Sequence, residues 1–222
     1  MSIAQNIAQI KKSLPEQVTL VAVSKFHPAE ALQEAYDAGQ RVFGESRAQE
    51  LCAKQAILPK DIEWHFIGPL QSNKVKDIAP FIHLIHSVDS LKLLAEVNKQ
   101  GKKHNRIIQV LLEIHVAQEE TKHGLSPEEC KELLRDKQVE EFDHVRICGL
   151  MAMASNTDDE VQVKTEFKAI HDLFDELKLT LCKDNPDFKE ISMGMSHDYP
   201  LALQEGSTMV RVGTSIFGAR EY

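Results

Sequence analysis

The sequence predicts an α/β fold, a single-domain (β/α)8 barrel with an extra N-terminal helix. Strand-like and helix-like stretches alternate along the chain, and eight such pairs fit within its 222 residues, near the lower end of the size range of this fold. Hydrophobic residues make up 42% and charged residues 27% of the chain, which are ordinary globular values. No linker rich in Gly, Ser or Pro divides the chain, so residues 1–222 are expected to form one domain. A doubly wound open sheet is the alternative arrangement.

The predicted strands are short runs rich in apolar and β-branched residues, which is typical of parallel strands that are buried on both faces. Each run is followed by a longer polar and apolar stretch that can return the chain to the start of the next strand. The eight strands are predicted at residues 18–23, 41–44, 64–67, 84–88, 107–116, 145–153, 191–195 and 209–213.

The helices are predicted from their start and stop residues. Pro28 opens and Gly39 closes the first helix after a strand, the usual asymmetry of these two residues. Ser46 is the expected N-cap of the next helix, and Ser126 with Glu129 has the spacing of a capping box. Helices are expected at residues 29–38, 46–56, from about 70, 90–103, from 126, 158–181 and shortly before 205.

Charge and composition exclude several classes of function. The formal net charge is −8 and the pI is near 5.7, which disfavours binding to a nucleic acid backbone. No apolar run approaches the roughly 18 residues that span a bilayer, and the first residues have no basic and apolar segments of a secretion signal. We therefore expect a cytoplasmic protein with no nucleic acid or membrane partner. Its scattered cysteines are expected to be reduced structural thiols: Cys52, Cys130, Cys148 and Cys182.

In a barrel of this type, chemistry belongs at the C-terminal ends of the strands. Lys25 lies just after the first strand, where burial would favour the neutral amine and make it a nucleophile for aldehydes. A solvated lysine at the end of a strand is the simpler alternative.

The loops after the last two strands have the composition of a phosphate site. Gly194 and Gly213 allow an anion to approach backbone N–H groups, and the hydroxyls of Ser196 and Thr214 are further donors. Ordinary helix capping by Ser196 is the alternative. A lysine at one side and a phosphate site at the other would suit a phosphorylated aldehyde, and pyridoxal 5′-phosphate is such a molecule. Arg211 would lie near its ring nitrogen and, because arginine keeps its proton, would leave that nitrogen unprotonated.

Six motifs, in order along nearly the whole chain, resemble those of the pyridoxal phosphate homeostasis protein family. The stretch at 65–74 and the last two motifs are highly specific as a set. The motifs are VAVSK at 21–25, FGE at 43–45, HFIGPLQSNK at 65–74, GLM at 149–151, SMGMS at 192–196 and GSTMVRVGT at 206–214.

The resemblance implies a barrel similar to the N-terminal domain of alanine racemase, with pyridoxal 5′-phosphate held covalently as a Schiff base on Lys25. It also implies a carrier or regulator of this cofactor without substantial turnover, with apo forms of cofactor-dependent enzymes as recipients. We expect a monomer. Many members have Asn where this chain has the shorter Ser46, and Lys122 has unusual neighbours and receives no role. The cofactor-binding residues expected from the resemblance are Lys25, Ser46, Met195, Ser196, Arg211, Gly213 and Thr214.

Two rival functions remain, a small cofactor-dependent amino-acid racemase and a cofactor-free partner-binding protein. A racemase needs a second acid or base opposite Lys25, and Tyr199 is the one tyrosine expected near the barrel mouth. The chain ends at Tyr222, so we do not expect the additional C-terminal domain that supplies this group in alanine racemases. His83 and His86 have no neighbouring Cys or carboxylate cluster in the sequence, so no metal site is expected there.

Overall fold

In the computed structural model, which describes residues 2–116 and 124–219, eight parallel strands close into a barrel in chain order. This confirms the predicted fold class and excludes the open sheet. The strands are β1 (Thr19–Val23), β2 (Val42–Glu45), β3 (Glu63–Phe66), β4 (Leu84–Val88), β5 (Ile108–Ile114), β6 (Val145–Ala152), β7 (Glu190–Met195) and β8 (Met209–Val212).

The helices pack around the barrel and connect successive strands. They are α1 (Ile3–Ser13), α2 (Ala29–Asp37), α3 (Ala48–Ile57), α4 (Ser72–Ile78), α5 (Leu91–Lys103), α6 (Pro127–Arg135), α7 (Lys137–Glu140), α8 (Glu160–Leu179), α9 (Tyr199–Gln204) and α10 (Thr214–Phe217). In the described part of the chain, no helix has both the length and the apolar character needed to cross a membrane.

Most local signals for the helices hold, but the predicted N-cap at Ser46 does not. Ser126 and Glu129 form the predicted capping box at the start of α6. Ser46 is not an N-cap, because β2 continues through the buried Glu45 and the residue at the N-cap position of α3 is Arg47. The one-turn helices α7 and α10 were not predicted. Asp136 starts α7 by accepting a hydrogen bond from the backbone N–H of Gln138 at 2.8 Å.

The barrel has a large outer core between strands and helices and a small inner core. The inner apolar cluster contains Leu84, Leu111, Cys148, Met151 and Met209, which come from four different strands and therefore meet inside the barrel. Side chains two residues apart on a strand share a face, so polar residues next to this cluster also point inward. Those residues form the site described below.

The strand β6 has an irregularity at Gly149. Val110 pairs with Ile147 and Leu111 pairs with Gly149, so Cys148 is an extra residue on β6. Gly149 has φ +152°, and a Cβ atom there would fall on the carbonyl oxygen of Glu190. A glycine is therefore required for the close approach of β6 and β7 at this bulge.

Candidate functional site

A cavity of about 240 Å³ lies at the C-terminal ends of the strands, where the fold predicts chemistry. Six of the seven predicted site residues line it. They are Lys25, Met195, Ser196, Arg211, Gly213 and Thr214. Ser46 lies instead in the lining of a neighbouring cavity of about 190 Å³ that also contains Arg47 and Lys74.

The position of Ser46 follows from its packing. A Cβ atom on Gly68 would lie 2.6 Å from the Cβ of Ser46, so the loops after β2 and β3 are in close contact here. This contact places Ser46 against the β3 loop. Lys122 and Tyr222 lie outside the described residues.

Ser24, the residue before Lys25, fixes one side of the turn that contains Lys25. Ser24 is fully buried, and its backbone N–H donates to the carbonyl of Gly44 at 3.0 Å. Its hydroxyl donates to Oε1 of Glu45 at 2.7 Å, which ties β1 to the end of β2. The backbone on the strand side of Lys25 is therefore fixed.

The residue after Lys25 is held in an unusual backbone conformation. Phe26 has φ +69°, a region that non-glycine residues rarely adopt, and its N–H donates to Oε1 of Glu50 at 2.7 Å. Nζ of Lys54 contacts the same Glu50 oxygen at 2.7 Å and donates to the carbonyl of Ser24 at 2.8 Å. Lys54 on α3 thus connects the two sides of the turn around Lys25.

Lys54 also forms a buried ion pair with Glu45, at 2.7 Å between Nζ and Oε1. Burial raises the pKa of Glu45, while the charge of Lys54 and the hydrogen bonds from Lys54 and Ser24 oppose this rise. Sequence reasoning missed Lys54. The available signal was a lysine on the apolar face of a helix, three residues after the buried Leu51.

The loops after β7 and β8 form the opposite wall of the cavity. The backbone N–H of Gly213 donates to Oγ of Ser196 at 3.2 Å, and Thr214 follows as the first residue of α10. The turn containing Ser196 is held by the buried Asp198, whose Oδ1 accepts a hydrogen bond from the N–H of Met195 at 2.5 Å. Hydroxyls and backbone N–H groups from both loops therefore lie together.

Arg211 forms part of the cavity lining but is itself buried, with 4% exposure. Its guanidinium donates to the carbonyl and the hydroxyl of Ser192, at 2.8 and 2.6 Å, and to the carbonyl of Ala152 at 2.9 Å. Burial lowers the pKa of Arg211 to about 10, while the nearby Glu113 and Asp198 act in the opposite direction. The group is therefore a cation near neutral pH, fixed in one orientation.

Two buried histidines extend this hydrogen-bonded chain through the inside of the barrel. Oγ of Ser192 lies 2.9 Å from Nδ1 of His86, and Nε2 of His86 lies 2.9 Å from Nδ1 of His65. Burial lowers the pKa of His65 to about 3 and that of His86 well below its ordinary value, so both rings are neutral. Sequence reasoning did not connect these residues, because they lie on three separate strands.

The hydroxyls of the two tyrosines that the structure describes are hydrogen-bonded to residues outside the lining of the Lys25 cavity. The hydroxyl of Tyr199 lies 3.1 Å from Oγ of Ser13 on α1, and that of Tyr36 donates to Asp61 at 2.7 Å. Neither residue lines the cavity of Lys25. Tyr199 was the tyrosine that sequence reasoning placed near the mouth, and its hydroxyl instead contacts the N-terminal helix.

The four cysteines are all free thiols. Burial raises the pKa of Cys130 to about 12 and those of Cys148 and Cys182 to about 11. Such thiols are unreactive near neutral pH, which agrees with their expected structural role.

Comparison with known proteins first defines a class. The profile of the alanine racemase N-terminal domain family matches residues 1–221. The solved alanine racemase of Bartonella henselae shares the fold, with a TM-score of 0.70 at 16% identity, over 98% of this chain and 58% of that one. The molecule is therefore a barrel of the alanine racemase N-terminal type.

More similar relatives identify the family. The pyridoxal phosphate homeostasis protein of Pasteurella multocida is 41% identical over 100% of this chain and 99% of its own length. PipY of Synechococcus elongatus, solved with pyridoxal phosphate bound, has a TM-score of 0.88 at 38% identity, over 98% of this chain and all of that one. This chain belongs to the pyridoxal phosphate homeostasis protein family, which confirms the resemblance read from its motifs.

Proposed function

We propose that this protein binds pyridoxal 5′-phosphate through a Schiff base on Lys25 and acts as a cytoplasmic carrier or regulator of this cofactor. The observation that carries the proposal is that one cavity is lined by Lys25, by the hydroxyls of Ser196 and Thr214, and by a buried arginine. The relative solved with pyridoxal phosphate supports it.

The residues present fit the functional groups of the cofactor. Nζ of Lys25 would form a C=N bond with the aldehyde carbon, and the aldehyde oxygen would leave as water. Ser196, Gly213 and Thr214 would hold the phosphate with hydroxyl and backbone donors. A cavity of about 240 Å³ is small beside the roughly 300–1,000 Å³ of pockets for drug-sized ligands, so it suits a ligand with one ring.

Arg211 would face the ring nitrogen. When bound, this cofactor supplies an electron sink, and its strength depends on a proton at the ring nitrogen. The guanidinium of Arg211 is held by Ser192 and Ala152 and can only donate, so it would leave the nitrogen unprotonated. This arrangement favours storage of the aldehyde over chemistry at the α-carbon of an amino acid.

The absence of a tyrosine from the described lining of the Lys25 cavity also favours a carrier over a racemase. Racemisation requires an acid and a base on opposite faces of the substrate, and Tyr199 is engaged with Ser13. We propose that the recipients are apo forms of cofactor-dependent enzymes, and that the protein acts as a monomer. Met195 would contact the cofactor through its lining position, whereas Ser46 would contribute only from the adjoining cavity.

Reduction with borohydride followed by peptide mass spectrometry tests the attachment site. We expect a single pyridoxyl adduct on the peptide that contains Lys25, and none in Lys25→Ala. Lys74→Ala is the matched control, because Lys74 lines the neighbouring cavity and its loss should leave the adduct unchanged. An adduct that persists in Lys25→Ala and disappears in Lys74→Ala would overturn the assignment.

A further inference from the structure

Three side chains that could ligate a metal meet at the end of the barrel opposite the Lys25 cavity. Glu63 and His65 are two residues apart on β3 and therefore share a face, and His83 immediately precedes β4. His65 pairs with Leu84, the residue after His83, which brings the two histidines together. One possible ligand atom from each of the three lies within 4.8 Å of the others. We propose that Glu63, His65 and His83 bind a divalent transition metal ion of the zinc type.

The ring of His65 gives independent support. It is buried, and its Nδ1 is hydrogen-bonded to His86, but its Nε2 has no hydrogen-bond partner among the described residues. Buried polar atoms almost always have a partner. A metal ion would bind between this unpartnered imidazole nitrogen, the second imidazole and the carboxylate.

The hydrogen-bonded chain inside the barrel is compatible with the tautomer that metal binding requires. Oγ of Ser192 accepts from Arg211 and keeps a second lone pair, which can accept a hydrogen bond from Nδ1–H of His86. In that arrangement Nε2 of His86 accepts from Nδ1 of His65, which leaves a lone pair on Nε2 of His65. The opposite arrangement would leave a buried N–H without an acceptor. Metal-binding histidines commonly donate their second ring N–H in this way.

Small movements would complete the coordination. Tetrahedral zinc with bonds of about 2.0–2.1 Å to nitrogen and oxygen holds its ligand atoms about 3.3–3.4 Å apart, so the cluster must contract from its present spacing of up to 4.8 Å. The side chains of Glu63 and His83 are 48% and 42% exposed, and their Oε2 and Nε2 atoms are already 3.7 Å apart. The His83 ring lies parallel to that of His65, with centroids 5.5 Å apart, and would rotate to direct a nitrogen at the ion.

The ligand set determines the class of ion. Two imidazole nitrogens and one carboxylate favour Zn²⁺ and similar transition metals over Mg²⁺ or Ca²⁺, which prefer oxygen ligands. Three protein ligands would leave a position for water on the exposed side. The sequence did not suggest this site, because His83 was considered with His86, which instead lies deeper and bonds to His65.

Calorimetric titration of Zn²⁺ into the purified, chelator-treated full-length protein tests the proposal. We expect one site per chain, with affinity reduced at least about tenfold in Glu63→Gln and in His83→Ala, which corresponds to about 1.4 kcal/mol each. Both residues are half-exposed, so these variants should retain the fold, which circular dichroism can verify. His104→Ala, at the C-cap of α5, is the matched control and should bind as the unsubstituted protein does.

Co²⁺ provides a second readout, because its visible d–d absorption is much stronger in a low-coordinate protein site than in the hydrated ion in solution. The bands should be present in the unsubstituted protein and in His104→Ala and be lost in His83→Ala. Equal Zn²⁺ affinity in the unsubstituted protein and in the Glu63→Gln/His83→Ala double variant would overturn the proposal. Zn²⁺ that binds in the Lys25 cavity would give such equal affinities, since the double variant leaves that cavity unchanged.

Discussion

Lys54→Met isolates the role of the ion pair beneath Lys25. The substitution keeps most of the apolar stem but removes the ammonium group that contacts Glu45, Glu50 and the carbonyl of Ser24. Glu45 is then left buried without its counter-charge. Removing one partner of a buried pair typically costs about 3–5 kcal/mol of unfolding free energy, and we expect a loss of this size.

The pH dependence of this loss has a definite sign. Burial raises the pKa of Glu45 in the folded state, and removal of Lys54 should raise it further, because Lys54 favours the ionised form. A carboxyl group whose pKa is higher in the folded state contributes stability below its unfolded pKa, and this is lost as the pH rises through its folded pKa. The penalty of Lys54→Met should therefore be largest near pH 8 and smaller near pH 5.

Urea unfolding followed by the fluorescence of Trp64, the single tryptophan and a buried one, measures this free energy at both pH values. Adding Glu45→Gln to Lys54→Met should recover part of the loss at pH 8, since the buried charge is removed. Lys168→Met is the matched control. It removes an exposed pair with Asp172 on α8, which water screens, and should leave the unfolding free energy nearly unchanged. A loss below about 1 kcal/mol in Lys54→Met, or a penalty that grows as the pH falls, would refute this reasoning.

Three further predictions concern the phosphate wall, the bulge in β6 and the chemistry. Ser196→Ala removes a hydroxyl donor worth about 1.5–3 kcal/mol toward a charged acceptor, so pyridoxal phosphate should bind about ten- to a hundredfold more weakly. In the same spectroscopic titration, the binding of unphosphorylated pyridoxal should be unaffected. Equal losses of affinity for both ligands would contradict this role of Ser196. Gly149→Ala places a Cβ atom on the carbonyl oxygen of Glu190 and should lower the unfolding free energy by about 1–3 kcal/mol or more. A stability in urea equal to that of the unsubstituted protein would show that the bulge can relax. Cofactor-loaded protein incubated with L- or D-alanine in deuterated water should produce no inversion by chiral chromatography; inversion that requires Lys25 would establish a racemase.

Local sequence was enough to predict the fold and six residues that line the Lys25 cavity. The alternation of apolar runs with capped helices predicts the barrel, and barrel topology brings all strand ends to one face. Each of four site residues lies within two positions of the end of a strand, so their shared location depends only on the order of the elements: Lys25, Ser196, Gly213 and Thr214. That is why motifs read from the chain name most of these lining residues correctly, whereas Ser46 lies in the lining of a different cavity.

The tertiary structure decided which side chains reach each other across elements. Lys54 lies on α3 yet bonds to the end of β1, and the chain from Arg211 through Ser192 and His86 to His65 crosses four strands. These contacts depend on the stagger between neighbouring strands, including the irregular registers of β4 with β5 and of β7 with β8. A shift of one residue turns a side chain to the other face of a strand. The register of the closed barrel therefore determines the interior hydrogen-bonded network and the cluster of Glu63, His65 and His83. The pattern of residue types along the chain does not specify this register.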